Sequence, residues 1–149
     1  MIEKALEKLA PPFRQRAIAW LEIVNAYLMP MRWNGYKVIV TETLRTSERQ
    51  SEVAAAGKSS VSIGYHNFGR AFDFLVIDDH GVAVHDGAHP AYEACGLIGE
   101  GLGGYWGGRF QQRQPDGTLK SKPDYDHIEW RRDGNVEQLK ARAAAGVIA

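Results

Sequence analysis

His66-Asn67-Phe68-Gly69-Arg70-Ala71-Phe72-Asp73 leads out of a polar, Gly/Ser-rich segment and into a β-rich run. Far downstream, Asp124-Tyr125-Asp126-His127 leads into a second short β-rich run. Successive residues of a strand point to opposite faces, so Ala71 shares a face with Asp73, and its small side chain leaves that face uncrowded. Gly69 allows a tight turn before the strand. The two stretches predict short strands that carry two imidazoles and carboxylates to one place.

Two imidazoles and a carboxylate are the ligand count of a catalytic zinc site, which keeps a fourth position for water. Asp124, three residues before His127, adds a carboxylate that could take a proton from that water. Taken alone, the first stretch favours a loop histidine and a hairpin acid, because short motifs often match by accident. The second stretch changes this balance: it crowds four ionisable groups into residues 124–129, which is costly in a strand entering a core unless a cation or partners compensate them. Glu129 would share a strand face with His127 and could orient its imidazole.

Composition narrows the classes of function. The chain has 149 residues, 44% of them hydrophobic, which is enough for one domain with a core. Lys plus Arg and Asp plus Glu both number 18, so no excess charge is available to hold nucleic acid or an anionic membrane. Cys95 stands alone, which excludes an intramolecular disulfide and a cysteine-rich zinc knuckle, and its apolar surroundings predict a buried side chain.

No segment reaches transmembrane length, and the N-terminal residues mix charges with apolar side chains instead of forming the apolar run of a signal peptide. We therefore expect a protein made in the cytoplasm, without a membrane or nucleic-acid partner.

Hydrophobic periodicity and breakers predict an α+β fold, a single compact domain over 1–149 with a small antiparallel sheet flanked by helices and the metal site at the sheet. It divides into N-terminal helices over 2–29, a core over about 36–131 and a C-terminal helix over about 135–145 capped by Asn135. Within the core the pattern predicts strands at 36–42, 72–77, 82–84 and 127–130, helices at 47–56 and 90–98, and a polar loop at 111–122.

The motifs resemble those of a known family. Tyr65-His66-x-x-Gly69-x-Ala71-x-Asp73 followed by Asp124-x-x-His127-x-Glu129 is similar to the zinc peptidases that cut peptidoglycan stem peptides: the D-alanyl-D-alanine carboxypeptidases and dipeptidases, and the L-alanyl-D-glutamate endopeptidases of phage endolysins. The segment 43–50, TLRTSERQ, resembles the family's Tyr-Arg-Thr-x-x-x-Gln block, and 105–108, YWGG, its Trp-Gly-Gly block. The four blocks occur in the family's order.

The resemblance implies a role for each matching residue. His66, Asp73 and His127 would hold one Zn²⁺ per chain, and Asp124 would be the general base. Arg45 would polarise the scissile carbonyl or neutralise the oxyanion, where the alternative is a surface ion pair with a neighbouring glutamate. Glu129, Trp106 and Tyr65 would support the ligands or contact substrate.

The chain departs from the family pattern at three places, none of them a proposed ligand. Gly64 stands where Ser is common, Arg109-Phe110 where an acid and an aromatic residue are usual, and Asp126 where Pro is frequent. These departures affect the predicted contacts with substrate.

The function implied is a zinc metallopeptidase that cuts the peptidoglycan stem peptide between L-Ala and D-Glu. It would act as a monomeric endolysin that reaches the periplasmic cell wall after a holin opens the membrane. Two alternatives remain: a D-alanyl-D-alanine carboxypeptidase or dipeptidase with the same site, and a non-catalytic, zinc-stabilised module that binds wall peptide.

Overall fold

The computed structural model describes residues 4–43, 64–132 and 134–146. Within them the chain forms a four-stranded antiparallel sheet in the order β1-β2-β6-β3 and a separate two-stranded antiparallel sheet, β4-β5. The strands are β1 Lys37–Glu42, β2 Ala71–Ile77, β3 Tyr105–Trp106, β4 Gln111–Arg113, β5 Leu119–Ser121 and β6 His127–Glu129. The predicted α+β class with a small antiparallel sheet is confirmed.

The helices lie before, between and after these strands. A 3-10 turn, Lys4–Lys8, precedes α1 Pro11–Ile23, a π-helical turn Val24–Leu28 and α2 Met29–Arg32; α3 is Pro90–Gly101 and α4 is Val136–Ala144. The helical region continues three residues beyond its predicted end at 29 and passes Pro30. Proline has no N–H for the helical ladder, and the wider turn before Pro30 accommodates that loss. None of the helices in the described ranges combines the length and apolar character needed to cross a bilayer.

The core lies between the sheet and the helices α1 and α3. The indole of Trp20, on α1, packs against Phe72 and Phe74 of β2 at ring-centroid distances of 4.8 and 4.9 Å. Trp130, just after β6, stacks on Phe13 at 5.7 Å. The apolar stripe of α1 therefore faces the sheet, as its helical spacing predicts.

Cys95 is fully buried on α3, and burial raises the pKa of its thiol to about 12. The prediction of a buried cysteine is confirmed, and the raised pKa disfavours the reactive thiolate.

Three predicted elements differ from the structure or lie outside it. The polar loop predicted for 111–122 is wrong, because β4 and β5 form a hairpin there. The return strand at 82–84 is reduced to a single bridge between Ile77 and Ala83. The helix predicted at 47–56 lies outside the described residues.

The register between β2 and β6 determines which ionisable residues lie next to each other. β2 and β6 pair so that Asp73 lies opposite His127, Phe72 opposite Ile128 and Ala71 opposite Glu129. Phe72 and Ile128 point into the core, so the other two pairs share the opposite face. The β1–β2 register shifts between Val40 and Glu42, next to Asp73. Such irregularities re-aim side chains beside functional sites.

Candidate metal centre

His66, Asp73 and His127 converge on one point at the sheet. Nε2 of His66 lies 3.1 Å from Oδ1 of Asp73, and Nδ1 of His127 lies 3.0 Å from the same oxygen. One ligand atom from each of the three residues lies within 4.8 Å of the others. Ligand atoms of tetrahedral zinc, at bond lengths of about 2.0–2.1 Å, stand about 3.3 Å apart. The triangle is therefore close to the size that a zinc ion requires.

In each imidazole, the nitrogen that points away from Asp73 is hydrogen-bonded to another group. Nδ1 of His66 donates to the backbone oxygen of Thr43 (2.8 Å), and Nε2 of His127 donates to Oε1 of Glu129 (2.7 Å). In the neutral rings, the inner nitrogens then present lone pairs toward the Asp73 oxygen. Three electron-rich atoms facing one another need a positive charge between them, which a proton supplies in the metal-free protein. The donor set of two nitrogens and one carboxylate suits a divalent transition metal in that place.

The pKa values of Asp73, His127 and Glu129 are shifted by the same interactions between the imidazoles and the carboxylates. Burial opposes charge on Asp73, but its hydrogen bonds with His127 and His66 outweigh burial and hold the pKa of that carboxyl below its usual range. Burial also disfavours charge on His127, yet Asp73 and Glu129 raise the pKa of its ring to about 10. For Glu129, hydrogen bonds with His127 and Arg131 outweigh burial and lower the pKa. The site favours positive charge between the rings and the two carboxylates.

The N-terminal segment holds in place the 3-10 turn Tyr65–Phe68, which carries His66, and Gly69 after it; we call residues 65–69 the arm that carries His66. The hydroxyl of Thr43 donates to the backbone oxygen of Ala5 (2.8 Å), so the carbonyl that receives His66 is itself anchored. At the other end of the arm, Ala10 N donates to Gly69 O (2.8 Å). Gly69 has φ +65°, a left-handed conformation that glycine adopts without strain and that suits the tight turn predicted there.

Asp124 lies on the open side of the triangle. Its Oδ2 is 3.9 Å from Nδ1 of His127, and its side chain is 53% exposed. Oxygens of Asp73, Asp124 and Asp126 also lie within 4.8 Å of one another. Gly107 packs against the Asp124 backbone, where a Cβ would collide with the Asp124 carbonyl, and Asp124 N donates to Gly107 O (2.8 Å). The Trp-Gly-Gly segment thus sets the position of this acid.

The remaining predicted residues occupy different places. Tyr65 lies near Glu129, and burial, followed by the charge of Glu129, raises the pKa of its phenol. Trp106 is buried, and its Nε1 donates to Tyr125 O (2.8 Å). It therefore supports the backbone between Asp124 and His127. Arg45 lies outside the described residues.

Sequence reasoning missed three neighbours of the site. Arg131 Nε donates to Glu129 Oε2 (2.7 Å), and the Phe110 ring meets the His127 ring edge-on at 5.6 Å. Asp126 is held near the other acids: burial, its hydrogen bond with Asp124 and the charge of Asp73 raise its pKa to about 8. Phe110 and Asp126 are two of the departures from the family pattern. Arg131 follows Glu129 by two residues, just beyond the end of β6, and that spacing was the available signal.

The chain is similar in sequence to a phage peptidase and in fold to a solved endopeptidase. No family model matches the chain. The chain is 34% identical over 77 residues to an L-alanyl-D-glutamate peptidase of Listeria phage A118, a match that covers 50% of this chain. It covers 27% of that relative, so the chain spans about a quarter of the relative's length.

A solved structure shares the fold. The L-Ala D-Glu endopeptidase ChiX of Serratia marcescens superimposes with a TM-score of 0.61, covering 85% of this chain and 84% of that one at 20% sequence identity. The resemblance carried by the motifs is thus confirmed: the chain is similar in sequence to a phage L-alanyl-D-glutamate peptidase and has the fold of an L-Ala D-Glu endopeptidase.

Proposed function

We propose that this chain is a zinc-dependent peptidoglycan hydrolase that cuts the stem peptide between L-Ala and D-Glu, as a phage endolysin does. The observation that carries the proposal is the convergence of His66, Asp73 and His127 on one point, with Asp124 beside it on the exposed side. These three residues would hold one Zn²⁺ per chain. A buried structural zinc site would close its fourth position with a protein ligand, whereas here the fourth neighbour is a half-exposed carboxylate suited to acid–base work.

Bound Zn²⁺ would lower the pKa of water and polarise the scissile carbonyl. Asp124 would take a proton from the attacking water and return it to the leaving amine, acting as base and then as acid. Glu129 and the Thr43 carbonyl hold the two imidazoles in the orientation that points one nitrogen of each inward. Arg45 would stabilise the developing negative charge on the carbonyl oxygen.

The choice of bond is supported by the comparisons. The phage relative is described as an L-alanyl-D-glutamate peptidase, and the structural neighbour as an L-Ala D-Glu endopeptidase. Peptidoglycan stem peptides are the substrate that contains this linkage, so they are the proposed partner.

A digest of purified peptidoglycan with zinc-loaded protein tests the proposal. Products are identified by mass spectrometry after new amino termini are labelled. New D-Glu amino termini with intact glycan are expected. Release of D-Ala would replace the proposal with a carboxypeptidase, and the absence of any product despite one bound zinc per chain would leave a wall-peptide binding module.

Replacement of the proposed base separates catalysis from binding. Asp124→Ala should lower the rate of peptide release by about 10²–10⁴-fold, the usual contribution of a general acid–base group. Zinc content should not change, because Asp124 is not one of the three ligands. Asp79→Asn, which alters an exposed acid in the turn after β2, is the control and should leave the rate unchanged. Unchanged hydrolysis by Asp124→Ala would contradict the assigned base.

A further inference from the structure

Arg131 lies directly behind the carboxylate that orients His127. Glu129 uses its two oxygens for different partners: Oε1 accepts from Nε2 of His127 at 2.7 Å, and Oε2 accepts from Nε of Arg131 at 2.7 Å. The three side chains form a continuous hydrogen-bonded chain that ends at the inner nitrogen of His127.

Two aromatic rings hold the guanidinium of Arg131 in place. It lies over the ring of Tyr105 at 4.4 Å and over that of Phe110 at 5.6 Å. Tyr105 pairs with Glu129 across β3 and β6, and Phe110 itself packs edge-on against His127. A planar guanidinium can stack on rings while its Nε bonds a carboxylate, which the ammonium of lysine cannot do.

Burial makes the Glu129 carboxylate dependent on this arginine. The Glu129 side chain is 7% exposed, whereas that of Arg131 is 42% exposed. A buried carboxylate is costly unless its oxygens are hydrogen-bonded and its charge is compensated. Without Arg131, His127 alone among the described residues would remain hydrogen-bonded to the Glu129 side chain, and the imidazole would lose a fixed partner.

We propose that Arg131 is a positioning residue of the metal centre: it fixes Glu129, and Glu129 in turn presents Nδ1 of His127 to the metal. The inference rests on the proposed function, since it takes His127 as a ligand. It adds a residue that hydrogen-bonds to Glu129 and acts on His127 through that carboxylate.

Zinc affinity is the measurement, made by competition with a chromogenic chelator. Arg131→Gln should raise the zinc dissociation constant by about tenfold, the lower end of what removal of such outer partners costs. Arg131→Lys should also weaken zinc binding, because lysine keeps the positive charge but lacks the planar guanidinium whose Nε bonds Glu129. The control is Arg132→Gln, an exposed arginine next in sequence, which should leave the constant within about twofold. An Arg131→Gln constant equal to that of Arg132→Gln would overturn the inference.

A second readout separates positioning from support of the fold. In the zinc-loaded protein, the ¹⁵N shifts of His127 and the exchange of its Nε2 proton with water report how firmly Glu129 holds the ring. The shifts should match and the exchange should be slow in wild type and Arg132→Gln, whereas Arg131→Gln and Arg131→Lys should shift the Nε2 signal and speed the exchange. A lowered melting temperature with unchanged shifts and unchanged zinc affinity would mean that Arg131 supports only the fold, and would overturn the inference.

The peptidoglycan digest is run in parallel on wild type. Zinc binding without peptide release would contradict the proposed hydrolase and leave the role of Arg131 measurable. Hydrolysis with equal zinc affinities in the two glutamine variants would overturn the role of Arg131 alone.

Discussion

The indole of Trp106 lies between two glycines that leave no room for a side chain. A Cβ at Gly96, on α3, or at Gly108 would overlap the indole ring. Trp106 is 6% exposed, so its ring is surrounded by protein and a new Cβ would have to displace it against close-packed neighbours. These glycines are present because the indole packs directly against backbone, and the indole nitrogen in turn holds the Tyr125 carbonyl beside the site.

We predict that Gly96→Ala lowers the free energy of unfolding by about 1–3 kcal/mol, the usual cost of overpacking a core. Gly101→Ala is the matched control, because it lies on the same helix and a Cβ there meets nothing within 4 Å in the part of the chain that the structure describes. It should be neutral or should stabilise by up to about 1 kcal/mol, since alanine is the better helix former. Urea denaturation measures both. Equal effects of the two substitutions would show that the indole contact is unimportant.

At the scale of elements, the arm that carries His66 is pressed against the N-terminal segment. A Cβ at Gly69 would lie 3.0 Å from Ala10 N and 3.1 Å from Lys8 O, and Gly69 has φ +65°. Gly81 has φ +77°, and no atom of the described residues lies within 4 Å of its Cβ position. A substitution at either glycine would therefore strain the backbone. Of the two, Gly69 is the position where the new Cβ would also press against the N-terminal segment.

Gly69→Ala should therefore cost more stability than Gly81→Ala. The left-handed conformation alone costs about 1–2 kcal/mol for a residue with a Cβ, and this is the expected loss for Gly81→Ala. Gly69→Ala should exceed it and should also weaken zinc binding, because the shifted arm moves His66. Thermal unfolding and chelator competition test the two parts separately. Equal losses of stability and equal zinc affinity would show that the N-terminal segment does not position the arm.

Elements with a strong local pattern were predictable from sequence. The apolar spacing of α1 and the β-rich runs of β1 and β2 agree with the structure, and Asn135 caps α4 with a reciprocal bond from Gln138. The hairpin β4-β5 has exposed, polar strands without alternation, so periodicity could not reveal it. Its only local signal is Asp116-Gly117, a dipeptide typical of tight hairpin turns.

The predicted site residues differ in how far sequence could place them. His66, Asp73 and His127 follow a spacing that strand alternation translates into proximity, and the structure brings them together. The links from Thr43 to His66 and from Arg131 to Glu129 depend on tertiary packing and on backbone oxygens. A backbone carbonyl carries no residue-specific signal, so the first link could not be found from sequence.

At the scale of the whole molecule, the proposed ligands join parts of the chain that are distant in sequence. Asp73 and His127 are 54 residues apart and lie on neighbouring strands, while His66 belongs to the turn before β2. The unfolded chain does not keep these atoms together, so a metal that they bind should stabilise the folded state.

We predict that zinc raises the melting temperature reversibly. At a free concentration about 1,000 times the dissociation constant, the gain should be about 4 kcal/mol. For a chain of this size that corresponds to a rise of about 8–16 °C. Asp73→Asn should abolish the rise, and Asp79→Asn should retain it, because only the first lies in the ligand triangle. Mg²⁺ should have little effect, since it prefers oxygen ligands in octahedral geometry. Differential scanning calorimetry with zinc, with magnesium and after chelation measures each case; the same melting temperature in all three would show that the His66, Asp73 and His127 cluster does not bind zinc in the folded protein.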